Sequence, residues 1–503
     1  MTPTRTISRR RAGIIGVSAS LIGWLFLVEL TSGILQGYYV PLISNIVEHL
    51  GIHDADYNWF DAAQLLLSAL VVPILAKLGD MYGHKRILLI STLLTAAATW
   101  SLAFADNFTV YLIAFALQGF YVVWLPLEVA LIFDRGRRTG RAASQTRRAA
   151  GLLVVALETG AIIGALLAGL LFSVFAENVT YTLMIPAIAV TLVFFAILFG
   201  VPESEPIPGR KLDGTGFVLL TLGLLFITSG LTVLRTAGPG SWFVWVLIAV
   251  GILTFLPFGR YELRQKDPAI DLRVLKKANM WPVQVTAGLI GISLLGAQAP
   301  LSTYAGTDPA NGYGLGLDAG LRSILIGAYL ISMIVGAVLF APVSRWTSPR
   351  VALIVASFLV AIGYFLFLPF HLETWQVFTN MAIAGLGSGA LVGALPAAAA
   401  AAAPRGQTGI ATGLTNTTKT VGGSFASAVF GVVLLAGGAT VTATAASLFG
   451  YMLVWTICGA GALVAAVLLF FVPRLAFADA EELIPAQPAV PYAAGTAPPG
   501  PPA

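Results

Sequence analysis

Long apolar runs, separated by short polar stretches, occupy the chain from about residue 14 to residue 473. A run of about 18 or more apolar residues with at most one or two charges can cross a lipid bilayer as a helix. The pattern therefore predicts fourteen membrane-spanning helices. We place them at roughly 14–36, 57–77, 87–105, 109–133, 149–173, 180–200, 214–234, 242–259, 281–304, 321–344, 351–370, 375–400, 410–436 and 447–473.

The composition excludes most soluble classes of protein. Charged residues are 10% and hydrophobic residues 57% of the 503 residues, whereas soluble proteins average about 25% charged residues. A single cysteine, Cys458, excludes a framework of internal disulfides. The four histidines form no metal-binding or catalytic motif, and no Gly-rich phosphate loop with a following Lys-Ser or Lys-Thr occurs. We therefore expect no cofactor, no metal site and no enzymatic activity.

The basic residues predict the orientation in the membrane. An even number of spans places both termini on one side. If that side is the cytoplasm, every Lys and Arg lies at or near it except Arg235, Arg322 and Lys419. This asymmetry follows the positive-inside rule. The net charge of +5 therefore reflects topology, and we expect a multi-pass plasma (inner) membrane protein, embedded in the lipid bilayer as a monomer, with no nucleic-acid partner.

The order of the spans suggests two similar halves. We predict an N-terminal six-helix bundle at 1–205, a linker and inserted two-helix hairpin at 206–265, and a C-terminal six-helix bundle at 266–474. The Pro- and Ala-rich segment 475–503 is predicted to be a disordered cytoplasmic tail. Two paired bundles are typical of transporters, because they can rock about a central site. The expected fold is an all-α membrane protein of fourteen helices.

The loop after the second span contains a recognisable motif. It reads AKLGDMYGHKRILL at residues 76–89 and resembles the loop signature of the major facilitator superfamily. The match covers Asp80, Gly83, Lys85 and Arg86, with alanine in place of the first glycine. Glycine at position 83 permits a tight turn. The resemblance implies that the Asp80 carboxylate faces the start of span 13, at residues 405–409.

Further stretches resemble the fourteen-span drug:proton antiporter branch of that superfamily. They are GTGFVLLTLGLLFITSGL (214–231) in the inserted hairpin, DLRVL (271–275), and RGQTGIATGLTNTTKTVGGSFASAVFG (405–431) in span 13. The resemblance implies a major facilitator fold with an inserted helix pair. It also implies alternating-access export of small hydrophobic molecules or drugs in exchange for protons, and hence multidrug efflux and antibiotic resistance.

Two departures from the branch concern coupling. Phe115 stands where the span 4 signature of the family places an arginine. The span 5 segment GAIIGA lacks the proline of the antiporter signature, but Gly160 and Gly164 keep a small-residue spacing that allows close helix packing. Proton-coupled uptake, or facilitated passage of a small solute, is therefore the alternative, and a membrane sensor or lipid-modifying enzyme is a more remote one.

Ionisable residues inside the spans are candidates for coupling, because a charge at the bilayer centre costs at least about 2.5–3.5 kcal/mol. Glu128 and Glu158 lie at similar depths in spans 4 and 5, and two nearby carboxylates cannot both stay ionised cheaply. One of them could therefore carry a proton. Glu29 in span 1 is the third candidate, and Lys419 in span 13 could neutralise one of the three.

Polar and aromatic residues on spans 1, 4, 9 and 13 are candidates for the substrate cavity. Aromatic faces with few amides suit a hydrophobic substrate. The candidates are Gln36, Tyr38, Tyr39, Gln118, Trp124, Gln298, Tyr304 and Asn416.

Overall fold

The structure is a computed structural model that describes residues 19–137, 142–204, 213–238, 240–265, 268, 272–275, 280–402, 408–437 and 444–471. Within these ranges the chain is helical and contains no strand. The predicted tail at 475–503 and most of the linker before the hairpin lie outside the described residues.

The α-helices follow one another with short connections. They are α1 (Ala19–Tyr38), α2 (Ile43–Leu50), α3 (Tyr57–Tyr82), α4 (His84–Ala103), α5 (Phe108–Gln118), α6 (Trp124–Arg137), α7 (Ala142–Val174), α8 (Val179–Gly200), α9 (Gly214–Ala237), α10 (Trp242–Glu262), α11 (Leu272–Leu275), α12 (Trp281–Gly291), α13 (Gln298–Gly306), α14 (Ala319–Trp346), α15 (Pro349–Leu366), α16 (Thr374–Ala402), α17 (Thr408–Val433) and α18 (Leu448–Phe470).

Thirteen helical segments of the described chain are long and apolar enough to cross a membrane. Three of them join two helices: α1 continues into α2, α5 into α6, and α12 into α13. A π-helical turn at Ile292–Gly296 makes the last of these joints. The predicted span that is absent from these thirteen is span 13, which corresponds to α17; this helix is long enough at 26 residues but less apolar because it contains polar residues and Lys419. The chain is therefore a multi-pass, all-α membrane protein.

The helices form two bundles and an inserted pair. In the first bundle α1 packs against α7 and α8, and α4 packs against α8. In the second bundle α16 packs against α14 and α15, and α12 packs against α17. The inserted helices α9 and α10 pack against each other, and α9 also touches α3 and α17. Because α3 and α17 belong to different bundles, the hairpin lies across a seam between them.

Glycines allow α1 and α7 to approach at backbone distance. A Cβ atom on Gly160 would lie 2.0 Å from the carbonyl oxygen of Leu30, and one on Gly33 would lie 1.9 Å from that of Leu157. Gly164 faces Ile34 in the same way, at 2.7 Å. Backbone contacts this close leave no room for any side chain, so the glycines at 160 and 164 sit in the tightest part of the helix pair.

Hydrogen bonds join the two halves at one end of the helical bundle. We call the end with residues 80–86 and 201–204 the motif face, and the opposite end the far face. At the far face the backbone N–H of Asp54 donates to Thr444 O at 2.9 Å, and the Ser302 hydroxyl donates to Val40 O. Further hydrogen bonds between the bundles join Gly169 N to the Ser323 hydroxyl, the Ser424 hydroxyl to Ala62 O, and Arg322 to the Asn45 side chain. The far face is therefore closed.

Candidate functional site

The motif loop is a tight joint between α3 and α4. Gly83 separates the helices with φ +102°, a conformation that side chains strongly disfavour. A glycine has no side chain to cap α4, and the caps come from the residues after α8 instead. The Ser204 hydroxyl accepts from His84 N at 2.8 Å, and the Glu203 carboxylate accepts from Lys85 N at 2.9 Å. These bonds satisfy N–H groups that the first turn of a helix otherwise leaves without partners.

Basic side chains add further ties at this loop. The Lys85 ammonium donates to Leu198 O at 2.9 Å, and Arg86 Nε lies 3.7 Å from the Glu203 carboxylate. Arg135 from α6 donates to the backbone oxygen of Glu203 at 3.0 Å. The predicted motif residues are thus held against the last residues before the linker.

Asp80 is placed at the same joint. Its carboxylate lies 3.3 Å from Nε2 of His84 and is partly exposed at the motif face. The expected partner segment, residues 405–409, falls outside the described residues or has no described side chains. That Asp80 faces the start of span 13 therefore stays a prediction.

Two of the glutamates within the membrane form a buried pair. Glu29 on α1 and Glu128 on α6 are both 0% exposed. They are near enough for their negative charges to repel each other. None of their four carboxylate oxygens has a hydrogen-bond partner among the described residues. Two ionised carboxylates in such a place would be very costly, because neither repulsion nor lost hydration is compensated.

The other two charged candidates belong to different bundles. Glu158 on α7 and Lys419 on α17 are both half-buried, and their opposite charges attract. The charge that acts on Glu128 is thus that of Glu29, and the charge that acts on Glu158 is that of Lys419. The sequence suggested Glu128 with Glu158, because it gives depth along each helix but not which helix faces each residue.

A cavity opens beside Lys419 in the second bundle. It is a small, partly open pocket between α12, α16 and α17. Its walls are largely apolar, and its polar residues are those at positions 415, 416 and 419. The residues lining it are Ala287, Ile290, Leu391, Val392, Leu395, Pro396, Thr415, Asn416 and Lys419.

Gln118 and the residue that replaces the family arginine lie in the packed interior of the first bundle. The Gln118 amide donates to the hydroxyl of Tyr39 at 2.7 Å and to that of Thr99 at 3.1 Å, and it accepts from Gln64 at 3.2 Å. Phe115 packs edge-on against Tyr39 at a centroid distance of 5.6 Å and belongs to a larger aromatic cluster. The ring of Phe115 and the amide hydrogen bonds of Gln118 thus occupy the region where the family signature has an arginine.

Of the remaining cavity candidates, only Asn416 lines the cavity described above. The Tyr38 hydroxyl donates to Thr182 O and that of Tyr304 to His371 O, both at 2.8 Å and both inside a bundle. Trp124 is fully buried. The half-buried Gln298 bonds to its own helix at Leu294 O, and Gln36 is exposed on α1.

The closed far face contains residues that sequence reasoning missed. Arg322 of α14, 3% exposed, donates to the side-chain oxygen of Asn45 in the other bundle. The Asp54 carboxylate accepts from Ala446 N at 3.4 Å. The hydroxyl of Tyr313 donates to the backbone oxygen of Ala446. Burial raises the pKa of Tyr313 to about 12, so its hydroxyl remains a hydrogen-bond donor. The available sequence signal was Arg322 itself, a basic residue on the side that the positive-inside rule leaves poor in positive charge.

Two paired helical bundles are the architecture of secondary transporters. The sequence pattern of the Major Facilitator Superfamily matches residues 25–427. The chain belongs to the Major Facilitator Superfamily.

Similar proteins include transporters with different substrates. The multidrug efflux pump LfrA of Mycolicibacterium smegmatis is 26% identical, over 86% of this chain and 83% of its own length. The uridine/deoxyuridine transporter of Lactococcus lactis is 25% identical, over 67% of this chain and 68% of its own length. Among solved structures, a peptide transporter POT in complex with sulfate superimposes with a TM-score of 0.64 at 15% identity, over 90% and 94% of the two chains. This structural likeness concerns the fold alone.

Proposed function

We propose that the chain exports small hydrophobic molecules from the cytoplasm in exchange for protons, by alternating access. The observation that carries the proposal is the buried carboxyl pair of Glu29 and Glu128, which lacks hydrogen-bond partners among the described residues. A pair of this kind is best stabilised with at least one bound proton. It can therefore take up a proton from one side and release it to the other when the surroundings change.

The cavity supports a hydrophobic substrate. Its walls are mostly Ala, Leu, Ile and Val side chains, with few polar groups to fix an orientation. Apolar walls with sparse polar groups are typical of sites for small organic molecules. Similarity to a multidrug efflux pump points the same way.

The distribution of the basic residues supports a plasma-membrane orientation with both termini in the cytoplasm. In that orientation the motif face is cytoplasmic, and the far face, closed by bonds such as that from Arg322 to Asn45, is external. The motif residues Asp80, Gly83 and Lys85 would stabilise one of the two access states.

Uptake of a small polar solute together with protons is the second candidate. It is favoured by similarity to a uridine/deoxyuridine transporter and by the phenylalanine at position 115. Export and uptake differ in the direction in which protons move with substrate.

Sealed vesicles containing the purified protein separate these functions. A substrate is first identified from the resistance profile of a host that lacks its own exporters. Release of that substrate from the vesicles with proton movement in the opposite direction is the expected result. Movement of both in the same direction would establish uptake by symport, and substrate flux with no effect of a pH gradient would contradict proton coupling.

A further inference from the structure

A buried arginine joins the two bundles at the far face. Arg322, near the start of α14, is only 3% exposed. Its Nη2 donates to the side-chain oxygen of Asn45 in α2, and its Nε donates to the backbone oxygen of Asp318 at 3.4 Å. Its other terminal nitrogen, Nη1, has no hydrogen-bond partner among the described residues. The guanidinium group has therefore lost its water and depends on a side chain of the other bundle for a charge-assisted bond.

Three carboxylates attract the positive charge of Arg322, those of Asp318, Asp54 and Glu48. Asp318 lies directly before α14 in the same bundle, so it moves with Arg322 and does not resist separation of the bundles. Asp54 and Glu48 belong to the first bundle. Glu48 is exposed and its charge is screened by water, whereas Asp54 is 8% exposed. The buried carboxylate that attracts Arg322 across the bundles is therefore that of Asp54.

Asp54 is in turn bonded to the backbone of the second bundle. Its N–H donates to Thr444 O at 2.9 Å, and its carboxylate accepts from Ala446 N at 3.4 Å. The hydroxyl of Tyr313, in the loop before α14, donates to Ala446 O and holds the same peptide from the other side. All of these partners of Asp54 belong to the second bundle, so separation of the bundles at this face breaks every one of the bonds.

We propose that Arg322 of the second bundle forms a latch with Asp54 and Asn45 of the first, and that the charges of this latch set how often the far face opens. The inference rests on the alternating access in the proposed function, but not on the substrate or on proton exchange. Burial of each charge is costly, and the partner in the other bundle offsets that cost only while the face is closed. Removing one charge leaves the other buried without its counter-charge. The face then opens more often, because opening lets water reach the remaining charge.

Distances between spin labels on the two bundles measure this opening. One label is attached at Thr109→Cys, at the start of α5, and the other at Leu372→Cys, after α15, where both native side chains are exposed at the far face. Cys458→Ser removes the native thiol. Pulsed double electron-electron resonance on the full-length protein in nanodiscs gives the ratio of long-distance to short-distance populations. Arg322→Gln and Asp54→Asn should each raise that ratio at least about tenfold, the size of one hydrogen bond to a charged group.

Combined variants show whether the two charges act on each other. The double variant of Arg322→Gln and Asp54→Asn has neither charge, so it should open no more than the single variants do. Asn45→Asp places a new carboxylate on the side chain that Arg322 already contacts. It should restore the closed population in the Asp54→Asn background but not in the Arg322→Gln background. Glu177→Gln, which changes an exposed carboxylate between α7 and α8 at the same face, is the matched control and should leave the ratio unchanged.

The outcomes separate the latch from the transport function. Unchanged distances in both single variants, or effects that simply multiply in the double variant, would overturn the latch. If Arg322→Gln does not fold, the effect of Asn45→Asp on Asp54→Asn decides, and failure to restore closure overturns the latch. The expected distance changes in a protein that moves no substrate under any gradient would uphold the latch and contradict the proposed export. Export by variants whose far face opens as often as that of the wild type would uphold export and overturn the latch.

Discussion

Glu29 on α1 and Glu128 on α6 lie in the interior of the first bundle, close enough for their negative charges to repel each other, and neither side chain is exposed. The cost of burying two carboxyls without hydrogen-bond partners makes them poor choices for stability alone. Glu158 and Lys419, whose opposite charges attract, are the other charged candidates in the membrane interior. We interpret the carboxyl pair of Glu29 and Glu128 as the proton site.

The first prediction concerns the stability of the buried pair. Glu29→Gln keeps the shape of a protonated carboxyl and removes the repulsion, so the midpoint of thermal unfolding in detergent should stay the same or rise. Glu373→Gln, which changes an exposed carboxylate between α15 and α16, is the control and should have no effect. A clear fall in the midpoint for Glu29→Gln alone would show that the carboxylate charge is stabilising and would contradict this interpretation.

A second prediction concerns the motif loop. Gly83→Ala forces a side chain into φ +102° and places Cβ 2.6 Å from the Glu203 carboxylate. It should therefore lower the free energy of unfolding by roughly 1–3 kcal/mol. Gly51 also has a positive φ, of +61°, but has open space around it. Gly51→Ala should therefore cost only about 1 kcal/mol.

The two loop variants are compared by their midpoint of thermal unfolding and by their transport rate. The Gly83 variant should lose more of each than the Gly51 variant does. Equal losses would mean that the contact with the carboxylate at position 203 does not matter, and that only the backbone conformation does.

The third prediction addresses the contact of α1 with α7. Gly160→Ala and Gly33→Ala would each drive a methyl group into a backbone oxygen of the other helix. Overpacking of this kind costs roughly 1–3 kcal/mol or more. Gly23→Ala on α1, where nothing lies within 4 Å of the new atom, is the control. Size-exclusion profiles should show loss of monodisperse protein only for the first two variants.

Labelling of the hairpin turn gives a fourth prediction. Gly240→Cys places a thiol in open space between α9 and α10, and the native Cys458 is fully buried, so it is replaced by serine only as a precaution. An impermeant maleimide should react from outside the cell. Reaction only from the cytoplasmic side would contradict fourteen spans and favour twelve spans with a hairpin at the membrane surface.

The sequence predicted the fold well because the lengths of apolar runs and the positions of basic residues are local signals. The hairpin at α9 and α10 and the motif turn at Gly83 were both recognisable in this way. The partners of the charged residues were not. Glu128 and Glu158 flank one loop, but which face of each helix meets α1 depends on tertiary packing.

The caps of α4 were hidden for a similar reason. Ser204 and Glu203 accept hydrogen bonds from N–H groups that lie about 120 residues earlier in the chain. No local sequence pattern therefore predicts these contacts. The same holds for Tyr38 and Tyr304, whose aromatic character suggested a cavity, although their hydroxyls bond to backbone oxygens inside the bundles. A polar aromatic side chain on a cavity-lining helix does not reveal which face it occupies.

Uphill transport and passive exchange, measured on the same vesicles, test the proton-coupling claim most directly. Vesicles containing wild type, Glu29→Gln, Glu128→Gln or the double variant are given a pH gradient and the substrate identified by resistance profiling. We predict that the wild type concentrates substrate against its gradient, whereas all three variants fail to do so but still exchange labelled for unlabelled substrate. Normal concentrative transport, with normal pH dependence, in the double variant would show that the proton site lies elsewhere.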